Sequence, residues 1–496
     1  MIVRLLASLM LLGSVLDLSS GNWWFSSAAA STPPNFVTIV VDDMDAASIA
    51  EMPAVNELMV SAGMSFTHFF APTPLCCPSR VSMLRGQYTH NHGVLRNTGE
   101  EAGFAQFLAT GGESDTVATR LQAAGYNTAL IGKYLNGYAP ENDPEFPVPQ
   151  TYVPPGWDTW ISGVSHAAYN SFDYTLNVNG SLVEHGDDED DYITDVLTNH
   201  AVDFLDQAAT TDQPFFLFLT PYAPHSPSVP APRHAGMFRG ATAPRTPAFN
   251  EADVSDKPAW IQSGDLLKER KLQRLDESYQ LRLESLQADD EMVRAVIKNL
   301  EAHDQLASTY IMFLSDNGFF LGEHRQPNGK DAPYDAATRV PLVIRGPGVA
   351  AGSQTDGIAL TTDLFPTIAD LAGVETPAFV DGRSWKPLWT ETDPLWRQNA
   401  LLEAFGREFE SVEREEKEAP AFRAIRTADV LYSEYETGER EFYDLRTDPY
   451  QLSNIIDEVP EADVRTYSEH LAALAGCAAA TCRSLEDALL PAIAPR

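Results

Sequence analysis

Several short runs along the chain are apolar at nearly every position, and the stretches between them carry the 3.6-residue spacing of helices. Phe36-Val37-Thr38-Ile39-Val40-Val41, Phe215-Phe216-Leu217-Phe218-Leu219 and Tyr310-Ile311-Met312-Phe313-Leu314 each read as a strand buried on both faces, as in the centre of a parallel sheet. Val340-Pro341-Leu342-Val343-Ile344 reads as a fourth strand, and its early proline, which lacks a ladder donor, puts it nearer an edge. Helical patterns cover 114–124, 192–207 and a long charged stretch, 266–303. Strands alternating with helices predict an α/β fold with a large, mostly parallel sheet flanked by helices. Near Asp381-Gly382-Arg383-Ser384 the texture changes to strand-like pieces at 430–435 and 441–445 and a terminal helix at 464–475. This divides the chain into a large α/β domain over 31–383 and a smaller C-terminal α+β domain over 384–496, with no internal repeat.

The first thirty residues follow a different logic. Arg4, an apolar run over 5–15 and the small residues Ser26-Ser27-Ala28-Ala29-Ala30 form a secretory signal pattern, cut near Ala30. A membrane anchor is the weaker reading, because the run is short for a bilayer and Asp17 interrupts it. No later stretch is long and apolar enough to span. The expectation is therefore an exported protein without stable membrane insertion: secreted, periplasmic or in the cell envelope, or lysosomal in a eukaryote. For an exported chain, Cys477 and Cys482 favour a local disulfide over two free thiols.

Charge narrows the partners. Lys and Arg number 34 against 70 Asp and Glu, a formal net of -36. Such a surface repels nucleic acid and disfavours a broad groove for a polyanion, though a local basic pocket is compatible with it. The acidic runs Asp187-Asp188-Glu189-Asp190-Asp191 and 408–418 read as solvated loops rather than calcium sites.

Two oxygen-rich pairs stand where ligand sites gather in open α/β sheets, just past the carboxyl ends of strands. Asp42-Asp43 follows the first strand and Asp316-Asn317 follows the Tyr310 run. A helix cap with a solvated neighbour would explain one such pair; two together point to a hard cation, calcium before magnesium because calcium tolerates looser geometry. Ahead of a helix-like run lies Cys76-Cys77-Pro78-Ser79-Arg80, a small nucleophile beside a fixed cation at a helix N-terminus, which suits an anionic group. Buried small hydrophobes are the plain alternative for adjacent cysteines, and zinc would want further ligands.

The stretch around Cys76 resembles the sulfatase signature Cys-x-Pro-x-Arg, in which the first cysteine is oxidised to formylglycine by a formylglycine-generating enzyme. The resemblance extends over about 35–454 and implies an alkaline-phosphatase-like sulfatase fold. It matches Asp42, Asp43, Asp316 and Asn317 to the family's metal ligands, with the modified Cys76 adding an oxygen. Arg80 matches the arginine that holds the hydrate, Lys133 the lysine after a strand, His225 the histidine after the Phe215 strand, and Lys330 the lysine before a Val-Pro strand. Cys76-Cys77, His90-Asn91-His92, Gly132-Lys133-Tyr134-Leu135-Asn136 and Pro154-Pro155-Gly156-Trp157 are similar to the N-acetylglucosamine-6-sulfatase and extracellular heparan-sulfate 6-O-sulfatase branch. Many sulfatases carry a histidine where this chain has Leu135, so the proton acceptor for the hydrate is unassigned, with His90, His92 and Asn136 as candidates.

What the resemblance implies is sulfate-ester hydrolysis. The formylglycine hydrate would attack sulfur, the metal with Lys133 and Lys330 would meet the charge on the sulfuryl oxygens, and His225 or Lys330 would protonate the leaving alkoxide. The expected substrate is a 6-O-sulfated glucosamine or N-acetylglucosamine residue on a small glycan. Three other readings stand beside it: a sulfatase acting on another sulfated glycan, a phosphonate or phosphate monoesterase of the same superfamily, and an unmodified glycan-binding pseudo-enzyme.

Overall fold

The computed structural model describes residues 33–140, 146–406 and 419–492; the signal-like segment 1–30 and the acidic run 408–418 lie outside the described residues. Ten strands form the main sheet: β1 (Asn35–Val41), β2 (Met64–Phe66), β3 (Asn127–Gly132), β4 (Thr159–Gly163), β5 (Tyr174–Val178), β6 (Ser181–His185), β7 (Phe215–Thr220), β8 (Thr309–Ser315), β9 (Leu342–Arg345) and β10 (Ser353–Thr355). Their order is β10-β2-β9-β8-β1-β7-β3-β4-β5-β6. The five central strands β8, β1, β7, β3 and β4 are mutually parallel. Antiparallel pairs appear toward the margins, at β4–β5, β5–β6, β8–β9 and β9–β2, so the sheet is mixed, with a parallel core.

Both faces of the central strands are covered, as their unbroken apolar runs require. Phe36, Val40, Phe216, Phe218, Met312 and Leu314 face one apolar cluster; Val37, Ile39, Leu217, Leu219, Ile311 and Phe313 face the other. The first cluster takes in α1 (Cys76–Arg85), and the second takes in α2 (Ile193–Ala208) and the later half of the long α3 (Glu269–Ala302). The fourth predicted strand lies third from one margin of the sheet, nearer an edge than the three central runs. β9 begins at Leu342, directly after the proline, and the short strands β2 and β10 cover it, so it is not an edge. Those two are three residues each, too short for any periodicity to show.

Toward the C-terminus a four-stranded antiparallel sheet follows: β11 (Asn399–Ala404), β12 (Phe422–Thr427), β13 (Val430–Tyr435) and β14 (Arg440–Asp444). The helix α4 (Glu461–Leu474) covers it through Val464, Tyr467, Leu471 and Leu474. The expected strands at 430–435 and 441–445 and the helix at 464–475 are all present. Cys477 and Cys482 form the disulfide. Among the described residues no helix is long and apolar enough to cross a membrane.

Candidate active site

Register builds the site. β1 and β8 pair from Asn35 with Thr309 to Val41 with Ser315, so both strands end on one rung and deliver Asp42 and Asp316 side by side. The Asp43 N–H donates to Asp316 Oδ1 at 3.0 Å, and Asn317 Nδ2 donates to Asp43 Oδ1 at 2.8 Å. Asp43 takes φ +68, a conformation that costs a non-glycine residue about 1 kcal/mol or more. What holds it there is Arg282 from α3, fully buried, which donates to the Asp43 carbonyl and, at 3.1 Å, to the Pro224 carbonyl.

The helix α1 meets these strand ends with one face. Cys77, Val81 and Leu84, at i, i+4 and i+7, enter the apolar core. Cys76, Ser79 and Arg80, at i, i+3 and i+4, share the other face. Pro78 falls in the first turn, where no intrahelical donor is lost. The Cys77 N–H, unpaired within the helix, is capped by Asn97 Oδ1 at 2.8 Å. Ser79 Oγ donates to the Asp316 carbonyl at 2.6 Å. Arg80 Nε donates to Asp316 Oδ2 at 2.8 Å and its Nη1 to the Lys133 carbonyl at 3.0 Å. Its Nη2 lies 3.8 Å from Asp42 Oδ1 and has no hydrogen-bond partner among the described residues.

Two lysines close the cluster from opposite sides. Lys133 follows β3, where Gly132 has φ +122 and a Cβ would lie 2.0 Å from the Thr220 carbonyl oxygen, so only glycine fits. Lys133 Nζ donates to Asp42 Oδ2 at 2.6 Å. Lys330 Nζ pairs with Asp43 Oδ1 and donates to Cys76 Sγ at 2.7 Å. His225, five residues beyond β7, places Nε2 3.7 Å from Asp43 Oδ2 while Nδ1 contacts the Ser226 carbonyl at 2.7 Å. Asp42, Asp43, Cys76, Arg80, Lys133, His225, Asp316, Asn317 and Lys330 are thus brought together.

Three carboxylates, Asp42, Asp43 and Asp316, face three cations, Arg80, Lys133 and Lys330. Burial pushes the Asp42 carboxyl up, but Lys133, His225 and Arg80 together overcome it and hold the group well below the usual range. For Asp43 burial is likewise outweighed by Lys330 and His225, leaving it at about 2. Asp316 is raised, by burial and then by Asp42. Burial, seconded by Asp42, drives the Cys76 thiol well above its ordinary value. A thiol so placed is a poor nucleophile. Cys77 is pushed up to about 12, chiefly by burial, and belongs to the core.

Donor atoms of Asp42, Asp43, Cys76 and His225 all lie within 4.8 Å of one another. With Asp316 and Asn317 alongside, the set is rich in oxygen, as a hard cation requires. The candidate proton acceptors fare differently. His90 is held by Glu403 at 2.9 Å and by the Cys477 carbonyl at 3.0 Å, and His92 by Ser82 Oγ and the Val94 N–H, both at 3.1 Å. Both are structural. Asn136 lines a cavity of about 600 Å³ that opens beside Lys133, and its Oδ1 has no partner among the described residues. Asn97, Tyr169 and Arg282 had no distinguishing signal: Arg282 sits in a charged helix whose composition reads as solvated.

A sheet whose central strand ends bring paired carboxylates against a helix carrying a buried cysteine and an arginine, with two lysines closing over them, defines an alkaline-phosphatase-like hydrolase. Residues 34–374 match the family described as Sulfatase, and residues 322–474 match N-sulphoglucosamine sulphohydrolase, C-terminal. The chain belongs to the sulfatase family. It is 31% identical over 484 residues to N-acetylglucosamine-6-sulfatase of Capra hircus, covering 92% of this chain and 85% of that one. An extracellular sulfatase homologue of Drosophila melanogaster is 34% identical over 383 residues, 75% of this chain; the match spans about a third of that relative, 33%. A protein solved in complex with its substrate D-glucosamine-2-N,6-O-disulfate superposes with a TM-score of 0.72 at 24% identity, covering 89% of this chain and 97% of that one. The phosphonate monoester hydrolase of Agrobacterium radiobacter shares the fold at a TM-score of 0.67 and 23% identity, covering 89% and 95% of the two chains.

Proposed function

We propose that the protein hydrolyses sulfate monoesters on sugars and removes 6-O-sulfate from glucosamine or N-acetylglucosamine residues. The observation that carries this reading is the buried convergence of Cys76 with Asp42, Asp43, Asp316 and Asn317 under Arg80, Lys133 and Lys330. The named activities of the goat relative and of the solved glucosamine complex point the same way. Residues 31–383 would form the catalytic domain and 384–496 the smaller C-terminal one.

The reading assigns the attack to an oxygen, with Cys76 of the Cys-x-Pro-x-Arg sequence converted to formylglycine by a formylglycine-generating enzyme, because a sulfated thiol would have no hydroxyl left to expel sulfate. Formylglycine supplies, as its hydrate, an attacking hydroxyl and a second one that resets the site. The donor set fits a calcium ion, with magnesium the alternative, held by Asp42, Asp43, Asp316, Asn317 and the matured residue 76. When bound, the cation supplies charge stabilisation to the sulfuryl oxygens. The unpartnered Nη2 of Arg80 gives the matured side chain a ready donor.

Around that centre the chain's own groups have distinct tasks. Lys133 and Lys330 meet the negative charge on the sulfuryl group. As the sulfur–oxygen bond to the sugar breaks, His225 gives a proton to the bridging oxygen, which departs as an alcohol. The cavity of about 600 Å³ beside Lys133 has room for a terminal sugar, and the net charge of -36 opposes a long sulfated chain. The signal-like N-terminus supports export, to the medium, the periplasm or, in a eukaryote, the lysosome.

The test is sulfate release from N-acetylglucosamine 6-sulfate by protein produced together with a formylglycine-generating enzyme. The peptide ending at Arg80 should lose about 18 Da at Cys76, and Cys76→Ala should release no sulfate. Phenyl phosphate or a phosphonate ester turned over in preference to phenyl sulfate would transfer the protein to the phosphonate branch. Tight glycan binding with an unconverted thiol and no turnover would make it a binding protein.

A further inference from the structure

Between β4 and β5 the chain makes a 3-10 turn, His166–Asn170, that the catalytic reading leaves without a task. Ser165 Oγ caps it by accepting from the Ala167 N–H at 3.2 Å, and the buried Ala168 pins it down. Gly163 makes the approach possible: a Cβ there would fall 2.5 Å from the Tyr222 hydroxyl and 2.7 Å from Ala168 Cβ. The turn therefore lies directly over the ends of β3 and β7. At its tip the Tyr169 ring meets the His225 ring at 4.5 Å, inclined by 49°, and the Tyr222 ring edge-on at 5.2 Å. The Lys133 ammonium lies 5.3 Å from the ring centroid.

Tyr169 thus touches both groups that flank the scissile bond in the reading above, from a loop independent of either. It also lines the cavity beside Lys133, with Asn136, His166 and Asn170 as further polar neighbours. From this geometry we propose that Tyr169 acts on the leaving-group side, its ring packed against Lys133 and His225 and its hydroxyl donating to the bridging oxygen of the ester. The phenol stays protonated at working pH, since burial raises it more than Lys133 lowers it, and so it is a standing hydrogen-bond donor. A donor at that oxygen acts where charge develops as the bond to the sugar breaks, and matters most for a leaving group that departs poorly on its own. This inference rests on the sulfatase reading.

The experiment compares the wild type with Tyr169→Phe, which keeps the ring and removes the hydroxyl. On N-acetylglucosamine 6-sulfate, kcat should fall about tenfold while KM stays within about threefold; on 4-nitrophenyl sulfate, whose phenolate leaves without help, kcat should fall less than about threefold. Calorimetric affinity for N-acetylglucosamine 6-sulfate in the Cys76→Ser background should be unchanged by the second substitution. Equal losses on the two esters, no loss on the sugar ester, or a fall in affinity that accounts for the lost kcat/KM would each overturn the proposal. Those outcomes presuppose an active wild type. A wild type inactive on both sulfates, with Cys76 converted, would instead refute the sulfatase reading itself.

Discussion

Lys330 and Cys76, 254 positions apart in the chain, meet at 2.7 Å, the lysine Nζ donating to the cysteine Sγ. The same ammonium pairs with Asp43, so one side chain links the strand-end carboxylates to the helix that carries Cys76. Lys330→Met should therefore lower kcat for sulfate release by about 10²–10³-fold, the usual loss for one donor aimed at developing charge. Initial rates at saturating substrate decide it; retention of more than a tenth of wild-type turnover would remove Lys330 from the machinery.

Divalent cation should act on stability as well as on rate. Chelation is expected to abolish sulfate release, and calcium to restore it and raise the melting temperature. A cation at a hundredfold excess over its dissociation constant adds about 2.7 kcal/mol to the folded state. In Asp43→Asn, which weakens the donor set, the calcium-dependent rise should be smaller. Scanning fluorimetry with and without calcium tests this, and equal rises in both proteins would show that the ion binds elsewhere.

Acid should weaken the fold through His92. Burial pushes this imidazole down to about 3, with Arg85 the next contributor, so it is neutral when folded and has its ordinary value of 6.5 when unfolded. Its contribution is complete above about pH 6.5 and declines as pH falls toward 3, because the unfolded chain then binds a proton that the folded one refuses. Replacing it by asparagine should flatten the acid limb by up to about 1.4 kcal/mol per pH unit. Urea melts between pH 7 and 4.5 check the slope, and parallel lines for the two proteins would reject the assignment.

Much of this architecture could be read from residue patterns, because buried parallel strands write long apolar runs. Phe36 to Val41 and Tyr310 to Leu314 announce themselves that way, and Asp42 and Asp316 inherit their place from the strands they follow. The marginal strands Met64–Phe66 and Ser353–Thr355 do not, since three residues carry no period. Arg282 is hidden for another reason. Its neighbours on α3 are charged, and only the close passage of that helix beneath Asp43 turns a solvated-looking arginine into a buried brace. Tyr169 depends on a turn whose course follows from Gly163 and from contacts with Tyr222, past the end of β7, which local propensity does not encode.

The bond between Cys477 and Cys482 joins residues five apart and is buried in the apolar cluster of the C-terminal sheet, and the Cys477 carbonyl accepts from His90 and Asn91. So short a loop removes little freedom from the unfolded chain. Replacing both cysteines by serine should cost about 2 kcal/mol and leave kcat near wild type. Denaturation midpoints together with steady-state rates separate the two effects, and a large loss of kcat would mean that the tail reaches the site through His90.

Cys76 has no exposed surface in the folded chain. A second protein cannot grip a side chain that is sealed beneath two lysines, an arginine and three carboxylates. Under the proposed maturation, oxidation of that thiol and closure of the sheet would therefore be rivals for the same interval of the chain's life. Slow folding favours the mature enzyme, and fast folding yields a well-formed protein that no later encounter can activate. The yield of active molecules would then be a ratio of two rates, and a purified sample could be homogeneous in shape yet divided in chemistry.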